Sequence, residues 1–163
     1  MTSTITPATL TVTVTETLTL NGNDRGSTNT LSVASVVDVD TRIVTATTTE
    51  QIIATFSTAD AAGQYNKDKV RYMRFTNKDD TNHCFLVLRN TGNTSANEIA
   101  LLLDTGHTFI IPVDEAGGTD ATWQSNTSAL TVTSGMVLED LVDITVISNT
   151  ADVDIEILVA SVA

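Results

Sequence analysis

Apolar and polar positions alternate along most of this chain with a period of two. The first run, TLTVTVTETLTLNG at 9–22, puts Leu10, Val12, Val14, Leu18 and Leu20 on one face. Thr11, Thr13, Thr15, Thr17 and Thr19 fall on the other. Such alternation predicts a half-buried strand. Glu16 interrupts the apolar face and marks a bulge, an edge or a subunit contact, and 21–26 (NGNDRG) reads as a turn or loop.

Further strand-like runs rich in Val, Ile and Thr cover 30–39, 42–47 and 51–56, and 58–68 reads as a loop with room for one helical turn. Strands are predicted at 70–76, 84–89, 99–103 and 109–113, separated in part by turn-rich 77–82 and 90–97. Phe85-Leu86-Val87-Leu88 and Phe109-Ile110-Ile111 are apolar throughout, which predicts central strands buried on both faces. A long loop at 114–126 contains Gly117-Gly118, and strands at 129–133, 142–147 and 153–159 close the chain. Some nine or ten short strands with regular turn signals predict an all-β fold. A single antiparallel β-sandwich of jelly-roll or related Greek-key topology is the preferred architecture. One domain, 1–163, is the economical reading, with residues 1–20 as an exchanged or interface strand.

Composition strengthens the β reading. About one residue in five is Thr, while only 17% are charged, so the usual helix-surface residues are scarce. The net charge of −12 argues against general binding to nucleic acid, whose phosphates would repel the chain. The longest apolar runs are about five residues, against the roughly 20 that a membrane-spanning helix needs. The first residues lack the basic and apolar regions of a signal peptide. One cysteine, Cys84, cannot form an internal disulfide. These features together suit folding in a reducing cytoplasm without membrane partners.

Candidate chemistry is sparse. Asp152, Asp154 and Glu156 alternate with apolar residues, so their carboxylates share one strand face about 7 Å apart. A metal ion needs oxygens converging at about 2.0–2.6 Å, so the expectation is a solvated face that discourages edge pairing. Asp38 and Asp40 repeat the pattern, and Asp79-Asp80 suits a turn in which Asp caps backbone amides. His83 and Cys84 point to opposite strand faces and form no dyad. No nucleophile elbow, Cys-x-x-Cys or His-Glu-x-x-His motif occurs. The expectation is a non-enzyme without catalytic residues, cofactor or metal.

Lys67, Lys69, Arg71, Arg74 and Lys78 cluster in one stretch with Tyr65, Tyr72 and Phe75. They are candidate partner contacts, although in so acidic a chain internal pairing with carboxylates is the stronger expectation. Lys69 and Arg71 are expected on one strand face and Arg74 on the other. The candidate interface strand is carried by Leu10, Val12, Val14, Glu16, Leu18 and Leu20. Its Thr row resembles an ice-binding array, but no second aligned row accompanies it. Trp123, beside Gly117-Gly118, could stack on a sugar but more commonly plugs a loop.

Four segments together resemble the small virion structural proteins of tailed phages, especially marine cyanobacterial ones. They are TLTLNGNDRGSTNTLSVASVVDVDTRIVTATTTEQIIATF, KVRYMRFTNKDDTNHCFLVLRN, DTGHTFIIP and LEDLVDITVISNTADVDIEILVASV. The shared pattern is a tyrosine-bearing strand, a TN-x-DDTN turn and an apolar strand. A Gly-containing turn then leads into another apolar strand, and a final strand pair follows. The resemblance covers most of the chain and contributes no functional residues. It implies a protein made in the host cytoplasm and built into the virion. The first expectation is a capsid decoration or cement protein that binds the major capsid protein and stabilises contacts between its subunits. A tail or fibre component, as an adaptor or a receptor- or glycan-binding domain, is the alternative. Self-association into a homo-oligomer is expected with either, a trimer on a capsid threefold being one arrangement.

Overall fold

A computed structural model describes residues 5–89, 98–112 and 141–163. Twelve strands and no helix appear among them. They are β1 (Ala8–Glu16), β2 (Thr19–Leu20), β3 (Asn23–Asp24), β4 (Ser27–Ala46), β5 (Gln51–Ser57) and β6 (Tyr65–Asn66), then β7 (Val70–Asn77), β8 (Cys84–Arg89), β9 (Glu98–Leu103), β10 (Thr108–Pro112), β11 (Asp143–Ser148) and β12 (Val153–Val162). One five-stranded sheet runs β1-β4-β12-β7-β10 and a second runs β6-β5-β11-β8-β9. All pairings are antiparallel except β5 with the two-residue β6. The predicted loop at 114–126, the predicted strand at 129–133, the turn at 90–97 and Trp123 lie outside the described residues.

The two sheets share one apolar core. Met73 and Phe75 on β7 and Ile155, Ile157 and Val159 on β12 face inward from the first sheet. Leu86 and Leu88 on β8, with Ile144 and Val146 on β11, meet them from the second. All of these are essentially inaccessible to solvent. Alternation explains the outward residues between them: Arg74 between Met73 and Phe75, and Glu156 between Ile155 and Ile157.

Two predicted strands are one. The runs at 30–39 and 42–47 form the single 20-residue β4, because Asp38, Asp40 and Arg42 do not interrupt it. Asp40 accepts a hydrogen bond from the Tyr65 hydroxyl, and Arg42 donates to the Ile53 carbonyl. Asp40 and Arg42 are thus satisfied within the fold, and the strand runs on through them. β4 does bend. Ser35 has φ +60°, and the register with β1 shifts there, Leu10 facing Val33 but Ala8 facing Val36. An extra residue on one strand is a bulge, which bends the strand and increases its twist.

Phe109-Ile110-Ile111 does not form a central strand, since β10 lies at the sheet edge. Its apolar run is explained by cover on both faces: Ile111 and Phe109 join the main core, while Ile110 packs into a second cluster outside. β8 is central as predicted, although Phe85 remains partly exposed. The acidic alternation on β12 also differs from expectation. β12 is central, so its carboxylates guard no edge. Asp154 accepts from Thr45 at 2.7 Å, and Glu156 pairs with Arg74.

Phe75→Ala should cost about 3–5 kcal/mol, the usual loss for emptying a buried aromatic site. Ile43→Ala, on the exposed outer face, should cost under about 1 kcal/mol. Urea unfolding of both variants checks this, and comparable losses would contradict the assignment of the two faces.

Candidate functional site

The candidate interface strand belongs to a long hairpin. From Leu10 opposite Val33 to Glu16 opposite Ser27, β1 keeps one register with β4. The same register continues through the Arg25 amide on the Leu18 carbonyl (2.8 Å) and through β2 with β3. The turn is only Asn21-Gly22, with φ +52° and +79°. Two successive positive φ values define the turn that matches strand twist, and Asn-Gly is its preferred pair. The predicted loop at 21–26 therefore shrinks to two residues. Gly26 is required by contact, because a Cβ there would collide with the Glu16 carbonyl oxygen.

β12 pairs with β4 only from Val36 onward, so among the described residues 27–35 pairs with β1 alone. The hairpin leaves the sheet as a two-stranded ribbon. Thr11 faces Ser32, Thr13 faces Thr30 and Thr15 faces Thr28 across one side. On the other side Leu10 and Val12 pack with Val33, Val36, Tyr72 and Ala160, which anchors the ribbon's root on the outer face of the first sheet. Cover then runs out. Val14, Leu18 and Leu20 are 47%, 53% and 55% exposed. Glu16 ends β1 and accepts a 2.7 Å hydrogen bond from Ser27. An isolated two-stranded hairpin is marginal in water, so this ribbon lacks the support the other strands have.

The five candidate cations do not form one patch. Lys69 pairs with Asp60 at 2.7 Å. Arg71 donates to the carbonyls of Asp68 and Val70 at 2.9 and 3.0 Å. Arg74 and Lys78 converge on Glu156, Lys78 at 4.0 Å. Lys67 is tied down by its own amide, on the Ser57 carbonyl. The register with β12 slips opposite Ala160 and Ser161, which turns both Val70 and Met73 into the core. Simple alternation therefore does not carry from Lys69 and Arg71 to Arg74.

A charged cluster missed in the sequence lies on the outer face of the second sheet. The Arg89 side chain is only 10% exposed. Its Nη2 donates to Glu50 Oε1 at 2.5 Å, and its Nε lies 2.8 Å from Glu98 Oε1. Asp143 is its register partner on β11. Thr145 donates to the same Glu50 oxygen at 2.5 Å. That bond, aided by Arg89 and opposed by burial, holds the Glu50 carboxyl below its ordinary range. Burial pushes Asp143 upward, Arg89 opposing and the other two carboxylates adding to the push. Glu50, Arg89, Asp143 and Thr145 border a cavity of about 270 Å³. Glu50 and Glu98 pair directly with one guanidinium, and Asp143 feels its charge from the neighbouring strand, which makes an ion cluster. The signal in the sequence was a lone Arg ending an apolar strand.

The remaining candidates are structural. Asp79 Oδ1 accepts from the amides of Thr81 (2.8 Å) and Asn82 (2.6 Å), which lowers its pKa. Buried Asn77 spans the same turn, donating to the Asn82 and Leu103 carbonyls at 2.9 and 3.1 Å. The TN-x-DDTN motif is thus a capped turn. Cys84 is buried, which pushes its thiol up to about 11 and leaves it un-ionised at neutral pH. His83 packs edge-on against Phe85 at 5.6 Å. A groove of about 420 Å³ beside Tyr65 is lined by Asp38, Asp40 and Arg42, with Arg42 3.8 Å from Asp40. Among the described residues no group of three or more His, Cys, Asp or Glu could hold a metal ion.

No protein-family model matches the sequence, and no curated protein gives a significant match.

Arg89→Leu should lose about 2–3 kcal/mol at pH 7. This is less than the 3–5 of a fully buried pair, because Glu50 is a third exposed. In the native protein the lowered Glu50 contributes stability at neutral pH that fades as pH falls through its folded value. The raised Asp143 acts oppositely, favouring the fold at low pH and losing that as pH rises through its folded value. Without Arg89 the Glu50 and Asp143 carboxyls lose the cation that favours their ionised forms, so the deficit should shrink from pH 7 to pH 4.5. Denaturant unfolding at the two values checks this, and an equal deficit at both would rule out an electrostatic origin.

Proposed function

We propose that this chain is a non-enzymatic structural protein of a tailed-phage virion, and that its working surface is the projecting β1–β4 ribbon. The observation that carries the reading is the ribbon itself. A two-stranded arm with exposed Val14, Leu18 and Leu20 gains support from a protein partner that no substrate would give. The paired cations make a weaker contact surface, since Lys69, Arg74 and Lys78 already face carboxylates of their own chain. The resemblance to small virion proteins points the same way.

We read the architecture as a jelly roll. Leaving out β1 and β6, the strand orders are β4-β12-β7-β10 and β5-β11-β8-β9. Eight strands that cross between two sheets in this order nest as two Greek keys, an arrangement common in viral capsid and lectin domains. In this reading the protein decorates the outer capsid surface, bridges major capsid subunits and associates with itself, three copies on a threefold being one arrangement. The second reading is a tail or fibre component with an adaptor or glycan-binding role, which the lectin use of the same architecture favours.

Quantitative mass spectrometry of purified virions separates the two. A ratio to the major capsid protein near one is the expected result for decoration, and a few copies per particle supports the tail reading. Density for this chain on the head in electron micrographs is expected, and density confined to the tail would overturn the decoration assignment.

A further inference from the structure

We propose that β1 is an isologous contact strand: its outer edge pairs antiparallel with β1 of a second copy, Val12 opposite Val12 across a two-fold axis. Among the described residues no strand pairs with that edge. Between the bulge near Ala8 and the Glu16 at its end, it carries no charge or proline and is not short, so the usual devices that protect an edge are confined to its ends. The edges of β6, β9 and β10 are better protected, while the ribbon's second edge, β4 over 27–35, is open as well among the described residues. β6 is two residues long, β10 is five residues long and carries Pro112, and β9 begins with Glu98. β1 has nine residues and no charge from Ala8 to Thr15.

The sequence of β1 complements itself. In an antiparallel pair, residues directly opposite share a face. Centring the pair on Val12 sets Leu10 against Val14 of the other copy and Thr11 against Thr13, like facing like on both faces. This register uses all nine residues of β1, whereas a shift of the centre to Thr11 or Thr13 shortens the match. It also suits the charge. Each Glu16 falls opposite an Ala8, so the two Glu16 carboxylates lie at opposite ends, about 27 Å apart at 3.4 Å per residue. That exceeds the screening length of about 10 Å, and two copies of an acidic chain meet without a like-charge contact on the strands. The pair gives each ribbon a third strand, the support that a two-stranded hairpin lacks.

An isologous strand pair requires a two-fold axis, so it predicts a dimer in solution and not the free trimer. The inference rests on the self-association proposed above, in taking a second copy as the occupant. Light scattering coupled to size exclusion tests both. The purified chain should run at twice its 17.3 kDa mass. Thr11→Lys/Thr13→Lys places ammonium groups opposite one another and should give a monomer. Thr11→Lys/Thr13→Glu sets opposite charges face to face in this register alone and should restore the dimer. A wild-type monomer would overturn the pairing and self-association together. A trimer, or a dimer indifferent to the double lysine change, would overturn the pairing alone. Should the double lysine variant not fold, Val12→Cys in a Cys84→Ser background decides. A cross-linked dimer on a non-reducing gel supports the two-fold, and persistent monomer overturns it.

Discussion

Burial of the inward faces of β12 and β7 against β11 and β8 is the constraint on which the other features rest. Ile155, Ile157 and Val159 sit beside Met73 and Phe75, and Leu86, Leu88, Ile144 and Val146 close over them. At about 25 cal/mol per Å² of apolar surface, each fully buried side chain of this kind contributes some 1.5–3 kcal/mol against the entropy of ordering the chain. Once these four strands are central, their outward positions are fixed by the pleat. Arg74 must meet Glu156, Arg89 must lie across the ladder from Asp143, and Tyr72 must lie where the ribbon's root can cover it. The charge clusters are consequences of the core's register.

That register also explains why the ribbon leaves the sheet. β12 is ten residues long and β4 is twenty. Among the described residues, the half of β4 outside the β12 pairing has β1 as its one strand neighbour. The bulge at Ser35 falls at the junction, and the small second cluster of Val33, Val36, Tyr72 and Ala160 holds it. The ribbon is thus fixed at its base by packing and sustained beyond it by the backbone ladder, the facing Thr rows and side-chain hydrogen bonds such as Ser27 to Glu16.

Much of the strand content was legible, because a period of two with few helix formers admits little else. The inward residues of β12 follow alternation, whereas on β7 the register slip brings both Val70 and Met73 inward. Three features were not legible. The runs at 30–39 and 42–47 read as two strands, and only the fold supplies Tyr65 to Asp40 and the Ile53 carbonyl to Arg42 along one continuous β4. The apolar run of β10 looked central because cover on both faces ordinarily comes from a central position. Here the second face is covered by a satellite cluster at the edge. The Arg89 cluster draws Glu50, Glu98, Asp143 and Thr145 from four separate stretches, a convergence with no local signal. The hairpin turn was legible in principle, since Asn-Gly between alternating runs is its strongest short-range mark.

The uneven placement of charge bears on how such a chain avoids indiscriminate association. A net charge of −12 makes copies repel through most of their surfaces. Yet the sequence holds no charged residue before Glu16, so the outer strand of the ribbon lies outside that protection. An unprotected edge on an otherwise repulsive molecule directs contact to one place. Charge elsewhere disfavours the many wrong encounters, and self-complementary alternation along β1 favours a single register over its neighbours, because a slip of one residue sets Thr against Leu and Val. The same edge on a neutral molecule would be an aggregation site. Here the repulsion of the remaining surface and the short reach of nine residues limit growth, and a two-fold pair consumes the β1 edge of both copies.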